Sequence, residues 1–295
     1  MVNRILATFT LVIALVLLAA PIASAGNPPG SGTGGPAIGG PGLTPEEQAV
    51  ADQKQKLADD YLRVRSGNLA PEVFAAEYRA FAGTDAATFD ATPDGPEPIP
   101  TPPTLSMGQY AQTSTYYCGP AAAYEILHYL GVTAGPSGES LTQSHLASKC
   151  QSGYLCTDTL HETPWYYYSG YQRPMQSTLN AWKHTSWYIV HVGSTGYQSS
   201  LVFDIDHHYP VAMLVREQNS ASTPHLVGHP TNITIGHWIG VHGYDSNGSW
   251  SYYADSVHGT TFWNWSPNVP AHSWISSGST GLANMMDVVP FGYIW

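Results

Sequence analysis

The chain has 295 residues, with 10 Lys and Arg against 21 Asp and Glu, a formal charge of −11 with neutral histidines, and 43% hydrophobic residues. An acidic balance with no basic patch to offset it excludes a nonspecific nucleic-acid binder. The apolar content suffices for a globular core, and no apolar run of about 18 or more residues follows the N-terminal segment, so no membrane span is expected once that segment is removed.

The first predicted element is a secretory signal peptide over residues 1–25. Arg4 precedes the apolar run Ile5 to Ala20, and Ala23-Ser24-Ala25 offers a small-residue cleavage site before Gly26. The expectation is a secreted, extracellular protein in a compartment where disulfides form. Residues 26–44 are a Gly/Pro-rich spacer that cannot bury enough apolar surface to fold.

Thr44-Pro45-Glu46-Glu47 has the pattern of a capping box, and a helix follows in which Lys54, Lys56, Arg63 and Arg65 interleave with acids. A second helix, Pro71 to Phe81, is amphipathic, with Val73, Phe74, Tyr78 and Phe81 along one side. Two short helices are too little for a core of their own. Residues 45–82 are therefore expected to dock on the domain that follows or to act as a pro-segment. Residues 83–104 contain the Pro-rich run Ala91 to Pro103 and read as an extended linker. Residues 105–295 form one domain, poor in charge, helix first and turn-rich strands later, which is the α+β class.

In that domain Cys118 precedes Gly119, Pro120 and the helix-forming run Ala121 to Leu130, which Gly131 ends. A thiol at a helix N-terminus gains from the macrodipole and open N–H groups in its thiolate form, the reactive species. The cysteine count agrees. There are three, and Cys150 and Cys156 are close enough in sequence to close a small disulfide loop, which leaves Cys118 free. The competing reading is an inert buried cysteine or one that pairs between molecules.

A thiolate nucleophile needs a base, and one of the thirteen histidines stands out. Gly236 to Asp245 has strand composition, Ser246-Asn247-Gly248 carries hairpin chemistry, and Ser249 to Asp255 returns. Alternation puts His237, Ile239 and Val241 on one face, taken as the core face, and Trp238, Gly240 and His242 on the other. Asp255, ending the returning strand, falls where it would orient His237, and His242 is the rival base on the opposite face.

Together, the helix-starting Cys118-Gly119-Pro120-Ala121, Gln112 six residues upstream, the strand Gly236-His237-Trp238 through Gly243-Tyr244-Asp245, and Asp255 resemble the papain-like bacteriocin-leader peptidases, family thirty-nine of the cysteine peptidases. The run Leu201 to Val215, a helix, then Pro210-Val211, then a core strand, adds to the likeness over roughly residues 105–260. The resemblance implies a papain-like fold, with the nucleophile helix packed on an antiparallel sheet. It also implies Cys118 as nucleophile, His237 as general base and acid, Asp255 as orienter and Gln112 as oxyanion donor. No Walker-type glycine loop occurs, so a leader-processing exporter is not expected.

No cofactor is expected. His207-His208 and the pair His225, His229 raise a metal site, but no His-Glu-x-x-His helix accompanies them. Trp165 to Tyr168, Trp182, Trp187, Trp263 and Trp265 are expected in the core, the alternative being a substrate groove. The leading function is a cysteine peptidase acting on a peptide or protein substrate, cell-wall material among the candidates. The alternatives are a catalytically silent module binding such material, and a transpeptidase or amide transferase using the same triad. Oligomeric state is not legible in the sequence.

Overall fold

The computed structural model describes residues 42–82, 103–158, 162–166, 173–287 and 291–295. The expected signal peptide, nearly all of the Gly/Pro spacer and the Pro-rich linker lie outside the described residues. In chain order the helices are α1 (Pro45–Arg65), α2 (Pro71–Ala82), α3 (Cys118–Tyr129), α4 (Gln143–Ala147), α5 (Pro174–Lys183), α6 (Tyr197–Asp206) and α7 (Leu282–Asp287). The strands are β1 (Val190–Val192), β2 (Val211–Glu217), β3 (Ile235–Asp245), β4 (Trp250–Ala254), β5 (His272–Ser276) and β6 (Gly292–Ile294).

The strands form one antiparallel sheet in the order β1-β6-β2-β3-β4-β5. The class is α+β, as expected, and the arrangement is consistent with a papain-like fold. One sheet face packs on α3, where Trp238, Ala212, Leu214, Ala254 and Ile294 meet Cys118, Ala122, Ala123 and Ile126. The other packs on α6, where Ile239, Val241, Met213 and Val215 meet Leu201, Val202 and Ile205. Alternation along β3 therefore separates two core faces, a correction to the expectation of a single one, and its composition is apolar on both sides for that reason. At Gly240 a Cβ would lie 2.9 Å from Met107 Cε, in the segment before α3, so a larger residue there requires that side chain to shift.

The β3–β4 turn is built as its sequence suggests, with Ser246 and Asn247 at φ 51° and 54° and Gly248 at φ 86°. A disulfide joins Cys150 and Cys156, and Cys118 is the free cysteine.

Helix α1 starts at the capping box: Glu47 N–H donates to Thr44 Oγ1 at 3.1 Å and Thr44 N–H to Glu47 Oε2 at 2.9 Å. It lies along α6 and α2 and buries Lys54 completely. The Lys54 Nζ sits 3.2 Å from Asp204 Oδ1, donates to Trp187 O at 3.1 Å, and is held 4.4 and 4.5 Å from the Trp187 and Trp295 ring centres. Helix α2 presents Phe74, Tyr78 and Phe81 to this core, spaced by four and three residues. Val73, expected to join them, is 47% exposed, because one residue's step turns it about 100° away from that stripe. Trp165, Tyr166, Trp182, Trp187 and Trp263 are buried, as the core reading required; Trp265 packs on Trp263, while Tyr167 and Tyr168 lie outside the described residues.

Candidate active site

Helix α3 begins at Cys118, and no side chain caps its start. The first N–H groups of a helix have no partner within it, so an uncapped start leaves donors and the positive dipole end beside the thiol. Gly119 is required by packing, since a Cβ there would lie 2.0 Å from Thr163 Oγ1 in the segment crossing the helix start. Cys118 itself is 2% exposed.

From β3, His237 reaches the same point. Its Nε2 lies 3.0 Å from Asp255 Oδ1, which also accepts the Val257 N–H at 3.0 Å. That leaves Nδ1, which makes no hydrogen bond among the described residues, as the nitrogen available to the Cys118 thiol. Burial alone would depress the His237 pKa, but the Asp255 charge and hydrogen bond, with Cys118, outweigh it and hold the imidazole well above its ordinary value. Burial likewise works against ionised Asp255, yet His237 and His229 together keep its carboxyl far below the usual range. A buried carboxylate fixes the imidazole tautomer and stabilises the imidazolium, so the three groups can support a thiolate–imidazolium pair.

Gln112 is buried as well. Its Nε2 donates to Ser114 O at 2.8 Å, its Oε1 accepts from Ser256 Oγ at 3.1 Å, and its backbone N–H donates to Ser256 O at 2.8 Å. The amide is thus tied to the residue after Asp255 and to the loop leading into Cys118, with one Nε2 proton left over.

His242, the rival base, is elsewhere. Its Nδ1 pairs with Leu105 O and its Nε2 with His272 Nδ1, each at 3.0 Å, and burial pushes its pKa down to about 4. A register shift between Val241 and Gly243 isolates it from the regular pairing of β3. His207 folds back on α6, with Nδ1 2.6 Å from Phe203 O, and burial lowers it to about 4.

Sequence reasoning missed Glu217 altogether and raised His229 only as a candidate metal ligand. Glu217, fully buried at the end of β2, pairs with His225 Nδ1 at 2.9 Å and His229 Nδ1 at 2.6 Å, and accepts the Leu226 N–H at 3.2 Å. His229 then turns its Nε2 to Asp255 Oδ2 at 3.0 Å, off the line of a good hydrogen bond, so that contact is an ion pair. The available signal was an acid closing the apolar run Val211 to Val215, where a buried charge needs partners. His229, His237 and Asp255 offer ligand atoms within 4.8 Å of one another, the geometry a divalent cation takes. Their mutual ion pairs and those to Glu217 account for the grouping without one.

Residues 104–281 match the model of the Peptidase_C39 like family, a span that includes Gln112, Cys118, His237 and Asp255. No curated protein matches the chain.

Proposed function

The chain belongs to the Peptidase_C39 like family, and from that premise we propose that it is a secreted cysteine peptidase that hydrolyses peptide bonds through Cys118, His237 and Asp255. The observation that carries this reading is the buried His237–Asp255 pair at 3.0 Å, with the Cys118 thiol at the start of α3 among the groups that raise the imidazole pKa. The Cys118 thiolate attacks the scissile carbonyl, and the negative charge that develops on its oxygen is met by the spare Gln112 Nε2–H and the Cys118 backbone N–H. His237 gives its proton to the departing amine, leaving a thioester acyl-enzyme. It then takes a proton from water, whose attack releases the acid and restores the thiol pair. The substrate is a peptide or protein, and secretion is supported by the Cys150–Cys156 disulfide together with the signal-like N-terminus.

The test is alkylation with a small thiol-directed electrophile near neutral pH, comparing native with unfolded protein. Faster modification of native Cys118, despite its burial, is the expected result; protection in the native state favours the silent binding module. Gln112→Ala lowers kcat by roughly a hundred- to thousandfold, the loss typical of one oxyanion donor, and a kcat within a few fold of the parent removes it from that role. Because the His237 pKa is raised, its proton is retained past the ordinary imidazole value near 6.5. The alkaline limb of kcat/KM against pH accordingly falls only well above neutrality, and a decline centred near 6.5 contradicts the pair.

A further inference from the structure

We infer that His229 is a positioning residue for this triad: an imidazolium held between Glu217 and Asp255 that fixes the Asp255 carboxylate from the oxygen His237 does not use. The inference rests on the peptidase reading for its consequence and on geometry for its content. Both ring nitrogens of His229 face carboxylate oxygens, Nδ1 at 2.6 Å from Glu217 Oε1 and Nε2 at 3.0 Å from Asp255 Oδ2, and all three side chains are at most 1% exposed. A neutral imidazole carries one N–H and would turn a lone pair on one of the two acids. Only the doubly protonated ring suits both.

The surrounding charges ask for the same state. Two buried carboxylates set against the His237 imidazolium alone leave the interior with one uncompensated negative charge, a costly arrangement. A charged His229 cancels that excess, and His225, on the outer side of Glu217, is a further base in reach. The other titratable groups interacting with Asp255 are neutral near pH 7: burial pushes Glu125 up to about 8 and Tyr253 far above its ordinary value. Burial disfavours the His229 cation, but Asp255 and Glu217 overcome this and raise its pKa to about 9. Glu217 is correspondingly lowered, against its own burial. Trp265 stacks edge-on to the ring at 4.9 Å and helps hold it in place.

Asp255 is hydrogen-bonded at Oδ1 and held at Oδ2 by the charge contact with His229. With His229 gone, Oδ2 faces a vacated site, the carboxylate can rotate, and His237 loses the fixed aim that the thiol requires; small misplacements of this kind cost about 100-fold in rate.

The experiment uses the full chain. Long-range nitrogen–proton NMR of the imidazole rings between pH 6 and 8 should show both nitrogens of His229 protonated, and a single neutral tautomer overturns the inference. In parallel, His229→Ala and His229→Gln are assayed for kcat, KM and the pH profile of Cys118 alkylation by iodoacetamide. The expected result for His229→Ala is a kcat about 100-fold lower with KM unchanged and a displaced alkylation profile, and His229→Gln, which keeps a donor without the charge, should recover part of the loss. A folded His229→Ala whose kcat and alkylation profile match the parent refutes the positioning role. If neither variant folds, the NMR of the parent protein still decides. Parent protein that neither cleaves peptides nor alkylates faster than unfolded chain defeats the peptidase reading instead, a failure visible separately from the state of His229.

Discussion

Cys118→Ala and His237→Ala are each expected to abolish peptide hydrolysis, by a factor on the order of 10⁶ in kcat where a nucleophile and its base act as one unit, while circular dichroism shows the fold of the parent. The size of the effect follows from the division of labour. Without the thiol there is no covalent intermediate; without the imidazole the thiol loses its counter-ion and the leaving amine its proton. The double variant should be scarcely worse than either single one, since each alone dismantles the same ion pair. Asp255→Asn should cost on the order of 10⁴-fold by allowing the wrong tautomer of His237, with KM little changed. Measured kcat for the singles and the double decides the matter. Loss of activity in His242→Ala with retention in His237→Ala would move the base to the other histidine.

The largest stability effect is expected at Lys54. Lys54→Met leaves Asp204 fully buried without its partner, and breaking one side of a buried pair costs about 3 to 5 kcal/mol. Burial outweighs attraction on both sides: Lys54 is lowered to about 8 in spite of Asp204, and Asp204 is raised to about 6 in spite of Lys54. A raised folded-state acid gives stability that is lost as pH rises through about 6, and a depressed lysine gives stability that is lost as pH falls through about 8. The ionised pair is therefore most expensive between these values. Lys54→Met combined with Asp204→Leu should be as stable as the parent or more so, with its advantage greatest in that window, as denaturant titration at several pH values would read out. The same packing predicts the fate of a chain starting near Leu105. Stripping α1 and α2 uncovers Trp187, Phe203 and Trp295 together with Asp204, so insolubility is the expected outcome. A soluble, active truncated chain would show that the two helices are a removable attachment.

Local chemistry was the most legible part of the sequence. The Thr44 capping box, the turn at Ser246 to Gly248 and the helix opening at Cys118 each depend on residues within a few positions of one another, where propensity and spacing speak directly. The juxtaposition of His237 with Asp255 was also within reach, because one hairpin carries both. What could not be read was long-range. The contact between Glu217 and His229 joins a strand end to an irregular loop, with no periodicity to connect them. Which face of β3 is core had no single answer, since helices cover both, and Val73 shows that an apolar residue beside a buried stripe need not belong to it.

Strand β6 lies between β1 and β2, and Trp295, the residue after it, exchanges hydrogen bonds with Ile189 while its ring closes one side of the site that receives Lys54. Both neighbours of that strand come much earlier in the chain, so during synthesis β1 stays unpaired and one edge of β2 stays open until residues 292–294 arrive. Closure of such distant pairings is slow compared with hairpin formation, and an unpaired strand edge is exposed throughout the wait. The β3–β4 hairpin with its histidine and aspartate can form early, whereas α1 gains the Trp295 side of its Lys54 site only once β6 is paired. Timing in this domain thus runs from the hairpin outward, with the pairing of β6 as the late step.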